Sequence, residues 1–132
     1  MVARWEQRVG TDRRLQDVTN IPVYVHIILN TEGIPQGQVS AQQIQDQINK
    51  LNVAFAIKFS FSLESTDTSP NSIWFTALRF TLEELEMKTA LRQGGTNALN
   101  VYTLEPSNGE LAWASCAASY EYCVVSRVLD SW

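Results

Sequence analysis

The sequence predicts an α/β chain (mixed α+β), a single sheet backed by two helices. Three observations carry that expectation. Residues 21–29, IPVYVHIIL, are β-branched or aromatic almost throughout, which suits a strand buried on both faces. Residues 39–55 then spell an amphipathic helix with a complete start signal. Strand-forming runs return at 59–63, 98–104 and 124–129, giving the order β-α-β-(β)-α-β-β-β. Such an order fits helices packed on a mixed sheet.

Residues 1–20 precede the first strand. Their cluster Arg4, Arg8, Arg13 and Arg14 is interrupted by Glu6, Asp12 and Asp17, so they read as a solvated arm ahead of one domain, residues 21–132. After the first strand, residues 30–38 hold two glycines and a proline and read as a loop. Ser40 and Gln43 are spaced as a capping box, with Val39 and Ile44 at staple positions. Ile44, Ile48, Leu51 and Phe55 recur at steps of four, three and four, a single helix stripe.

Phe59 and Phe61 alternate with polar neighbours, a half-buried strand that Leu63 extends. Residues 64–72, polar and holding Pro70, read as loop, and residues 73–80 as a short strand around Trp74 and Phe75. A second helix starts at Thr81, with Glu84 as its capping-box partner, and ends at the Gly94-Gly95 stop. Next come a strand at 98–104, a turn at 105–109, an edge strand at 110–115 and a last strand at 123–129.

The 132 residues are enough for one domain with a real core. An apolar content of 45% and a charged content of 18% are those of a globular chain. The net charge of -4 argues against nucleic acid or an anionic membrane surface as partner. No apolar run is long enough to span a bilayer. Residues 1–10 lack the apolar stretch of a signal peptide.

Candidate chemistry is sparse. His26 is the only histidine and lies mid-strand, where a satisfied core histidine is expected; a catalytic zinc needs three protein ligands and an open position. Glu83, Glu84 and Glu86 crowd one helix start, where negative charge favours the positive end of the helix dipole. Ser115 and Ser119 flank Cys116 without a second histidine or a nucleophile turn. Gly94-Gly95 follows a helix and lacks the lysine of a phosphate loop. Cys116 and Cys123 flank a hairpin seven residues apart. A disulfide and two free thiols are both open on that spacing.

Five blocks occur in a telling order: IPVYVHIIL; VSAQQIQDQINKLNVAFA; FSFSLESTDTSPNSIWF; MKTALRQGGTNALNVYT; and GELAWAS before VVSRVL. Together they resemble the pappalysin-type zinc metalloproteases of the metzincin clan, over residues 21–129. The resemblance implies the upper half of a catalytic domain: a twisted, mainly parallel sheet with one antiparallel edge strand that aligns extended substrate. The matching segment is Gly109, Glu110, Leu111, Ala112, Trp113, Ala114 and Ser115. The plain alternative is an ordinary sheet edge.

The resemblance further implies secretion, and a disulfide between Cys116 and Cys123 that would restrict the unfolded chain by roughly 2–3 kcal/mol. In the full family the cofactor is zinc and the partner a peptide or protein substrate. The family's HExxHxxGxxH helix is absent from this sequence, as is its Asp-Gly pair before the last strand. The expectation is a truncated metalloendopeptidase, a pseudoenzyme without catalytic residues, metal ligand or cofactor. The alternative is a non-catalytic binding or dimerisation protein, pairing with a second copy or with a missing C-terminal half.

Overall fold

The computed structural model describes residues 18–110, 112–114 and 122–127. Five strands form one sheet in the order β2-β1-β3-β5-β4. They are β1 (Thr19–Leu29), β2 (Phe59–Pro70), β3 (Leu99–Leu104), β4 (Ala112–Ala114) and β5 (Tyr122–Arg127). The pairs β1–β2, β1–β3 and β3–β5 are parallel, while β4 runs antiparallel to β5. Three helices accompany them: α1 (Ala41–Ala54), α2 (Ser72–Phe75) and α3 (Leu82–Leu91). The α/β expectation holds, including the mainly parallel sheet with one antiparallel edge strand.

Parallel register sorts the side chains of β1 and β3 onto two faces. Val23, Val25 and Ile27 on β1 pack with Leu99 on β3 and with Ile44 and Ile48 of α1. On the opposite face Ile28, Tyr102 and Leu104 pack with Phe75 of α2 and Met87 of α3. The α1 start forms as its sequence dictates. The Gln43 N–H donates to Ser40 Oγ (3.1 Å) and the Ser40 N–H donates to Gln43 Oε1 (2.9 Å). Both staple residues, Val39 and Ile44, join the apolar cluster beneath.

Residues 64–72 are not loop: β2 continues to Pro70 beside β1. The register shifts between Val23 and Tyr24, where Glu64 is the extra residue, and the inward phase then passes to Ser65, Asp67 and Ser69. Pairing with an apolar strand outweighs the low strand propensity of this segment. An outermost strand also tolerates proline and polar residues. Residues 73–80 hold a short helix instead of a strand. Asn71 caps it, Oδ1 accepting from the Ile73 and Trp74 N–H groups (both 3.0 Å).

The second long helix starts at Thr81 as expected, but only half of the box forms. Thr81 Oγ1 accepts from the Glu84 N–H (3.3 Å), while Glu84 Oε1 takes the N–H of Phe80 (2.7 Å). The helix closes at Arg92, before the two glycines. Gly94 serves the following turn: its φ is +82°, and a β-carbon there would lie 2.6 Å from that of Ala98 and 2.7 Å from the Tyr24 ring. Residues 1–17, most of the proposed arm, lie outside the described residues.

Candidate functional site: the sheet edge and a buried histidine

Of the segment 109–115, residues 112–114 form β4 at the end of the sheet order. Ala112, Trp113 and Ala114 pair with Ser126, Val125 and Val124 across β5. Among the described residues no strand pairs with the other side of β4. Its outward N–H and C=O groups are those that an added extended chain uses. Gly109 and Glu110 precede the strand. Gly109 has φ +81° and donates its N–H to the Pro106 carbonyl (3.1 Å). Glu110 is tied back to the α2–α3 loop through Arg79 Nε (3.2 Å). Leu111, Ser115 and Cys116 lie outside the described residues, and with them the proposed Cys116–Cys123 pairing.

His26 lies at the centre of a polar seam beneath α3 and is completely buried. Parallel pairing puts Asp67 of β2 on one side of it and Tyr102 of β3 on the other. The imidazole Nδ1 lies 2.8 and 3.0 Å from the two Asp67 carboxylate oxygens, and Nε2 lies 2.8 Å from Asn100 Oδ1. The ring stacks on Tyr102 at 4.8 Å.

Asn100 is oriented by Gln93, just past α3. Its Nδ2 donates to the Gln93 carbonyl (2.9 Å) and its Oδ1 accepts from the Gln93 N–H (3.0 Å). Gln93 Nε2 also donates to Asp67 Oδ2 (3.1 Å), closing the ring of contacts. Both histidine nitrogens therefore face side-chain oxygens.

That arrangement is structural chemistry. A histidine activating a nucleophile needs a hydroxyl or thiol at one nitrogen and an orienting carboxylate at the other. Here the second nitrogen meets a side-chain amide in a solvent-free pocket. The lone histidine is the satisfied core residue that the sequence suggests. Its partners Asp67, Asn100 and Gln93 were missed because Asp67 fell in a segment read as loop. A buried histidine nonetheless requires partners, and the alternation of Ser65, Asp67 and Ser69 was the available signal.

The acidic helix start divides. Glu84 is buried and paired with Lys88 Nζ at 2.9 Å, while Glu83 and Glu86 are exposed. A catalytic zinc does not fit these residues. Both nitrogens of the only histidine are engaged, and among the described residues no three His, Cys, Asp or Glu side chains are grouped to hold a metal. No helix among the described residues is long and apolar enough to cross a membrane.

Comparison with known proteins gives a consistent direction. The chain is 33% identical over 99 residues to an extracellular metalloprotease of Sordaria macrospora, an alignment covering 74% of this chain and 33% of the relative. An extracellular metalloprotease of Neurospora crassa matches with the same identity and coverage. Extracellular metalloprotease 1 of Coccidioides posadasii is 32% identical over 105 residues, 79% of this chain and 37% of that protein. The chain thus spans about a third of the length of the curated relatives it matches. No family profile and no solved structure matches it. These similarities support a metalloprotease family and a protease-derived chain.

Proposed function

We propose that this stretch of chain is the sheet half of a pappalysin-type, metzincin-like zinc metalloendopeptidase and does not hydrolyse peptide bonds by itself. The observation that carries this reading is His26, the only histidine, sealed between Asp67 and Asn100. In a zinc hydrolase the metal activates water and polarises the scissile carbonyl. Among the described residues no group of side chains could hold that metal. The names of the relatives support secretion, which in turn favours a Cys116–Cys123 disulfide.

Casein turnover tests the reading. Purified chain, with and without added zinc, is expected to leave casein intact, with no difference on adding a chelator. Chelator-sensitive cleavage that co-purifies with the chain and is lost in His26→Ala would refute it.

A second reading, a binding or dimerisation unit, is favoured by the outer side of β4, with which no strand among the described residues pairs. Ala112, Trp113 and Ala114 would take an extended peptide, or the same strand of a second copy, by added-strand pairing. Amide resonances of residues 112–114 should shift on titration with an extended peptide, or with chain concentration if copies pair. Unchanged resonances under both conditions would remove the reading.

A further inference from the structure

One surface is used by neither the sheet edge nor the polar seam. Around α2 and the start of α3, Ile73, Phe80, Leu82 and Leu85 are 65, 82, 78 and 61% exposed. Leu82 and Leu85 lie one turn apart on α3, whereas Met87 and Leu91 of that helix go to the core. Phe80 has φ 65°, a left-handed conformation that a β-carbon disfavours.

The surrounding loop fixes that conformation. The Phe80 N–H donates to the buried Glu84 carboxylate (2.7 Å), and Thr81 Oγ1 donates to the Leu78 carbonyl (2.6 Å). The Arg79 guanidinium lies 5.5 Å from the Phe80 ring centroid. The fold thus exposes a large apolar ring on the same segment, residues 73–85, as three other exposed apolar side chains, a combination that marks an interaction surface.

A groove of about 370 Å³ runs beside this patch. Ile73, Ala77 and Leu78 line it, with Glu32 and Glu83 also among its walls. Among the described residues neither carboxylate makes an ion pair. Glu86, also exposed on α3, accepts the Trp74 indole N–H (3.3 Å). The apolar patch is therefore bordered by negative charge, which selects against anionic partners and for cationic ones.

We propose that this surface docks a basic–apolar segment of another polypeptide, one in which an arginine or lysine stands next to a large apolar residue. The cation reaches Glu32 and Glu83 while its aliphatic stem lies along Ile73 and Leu78. The neighbouring apolar side chain covers Phe80 and Leu82. This assignment is independent of the peptide-binding reading of β4.

The test is a binding titration of the full chain with an acetylated peptide amide holding two Arg-Trp pairs. Amide shifts should centre on residues 73–85. The dissociation constant should rise at least tenfold in Glu32→Gln/Glu83→Gln, and equally when citrulline replaces arginine in the peptide. Phe80→Gly should also weaken binding tenfold while thermal stability stays the same or rises, because glycine accepts the positive φ. A Phe80→Gly chain that loses stability instead would assign the ring a packing role and overturn the proposal. No binding by the parent chain, or equal binding by the Glu32→Gln/Glu83→Gln variant, would do the same. Binding that emerges only after Arg4→Gln and Arg8→Gln would put the chain's own first residues in the groove and overturn the assignment to a separate partner.

Discussion

The two faces of the sheet share strands β1 and β3 yet are held in opposite ways. On the α1 face, Val23, Val25, Ile27 and Leu99 meet Ile44 and Ile48 in an apolar contact. On the α3 face, His26 and Asn100 are buried at the same depth but are held by directed contacts to Asp67 and Gln93. Apolar burial scales with area and tolerates small shifts. A buried polar seam depends on every member having its partner. Both faces carry an apolar cluster, and the α3 face adds a polar seam that ties together β2, β1, β3 and the exit of α3.

Removing the hub of the seam should have the largest effect. His26→Leu leaves Asp67 and Asn100 facing an apolar group, and a loss of about 3 kcal/mol is expected from denaturant unfolding. Asp67 is partly open to water, its side chain being 35% exposed, which keeps the loss below that of a fully enclosed pair. Adding Asp67→Leu to His26→Leu should recover part of the loss, since contacting members of one network couple by roughly 0.5–3 kcal/mol. Strict additivity of the two changes would show that the seam does not act as a unit.

The apolar cluster on the α1 face should respond to volume. Ile48→Ala removes a nearly buried side chain and is expected to lower stability by about 2–4 kcal/mol, with no compensating second site. A smaller change of opposite sign is expected at Thr103. It is fully buried on the α1 face, and its Oγ1 has no hydrogen-bond partner. Thr103→Val removes that stranded hydroxyl and should raise stability by about 1 kcal/mol. A loss on Thr103→Val would mean that the hydroxyl is engaged.

The same division explains what the sequence made legible. The α1 face was readable because its signals are local. The Ser40–Gln43 box, the Ile44–Ile48–Leu51 stripe and the run at 21–29 each speak within one or two turns or one strand. The seam joins residues 41 and 74 apart. Nothing near Asp67 or Asn100 announces a partner in β1. Polar residues 64–70 look like loop until β1 is placed beside them, and Asn71 signals a cap only to a reader expecting a helix there.

The edge strand was found in its right place, antiparallel to the strand that follows it in sequence. The residue pattern placed an edge strand at 110–115, and the resemblance added its antiparallel direction. Whether Cys116 and Cys123 pair lies beyond the described residues. A free-thiol titration of secreted material should find neither thiol reactive, whereas two reactive thiols would remove the staple.

The proposal of a protease-derived sheet without a zinc centre is tested most directly by metal content. Purified chain should be loaded with excess zinc, exhaustively dialysed against metal-free buffer at neutral pH, and analysed for zinc per chain. The account predicts a ratio near zero, unchanged in His26→Ala. Retention of one zinc per chain, lost in that variant, would contradict it.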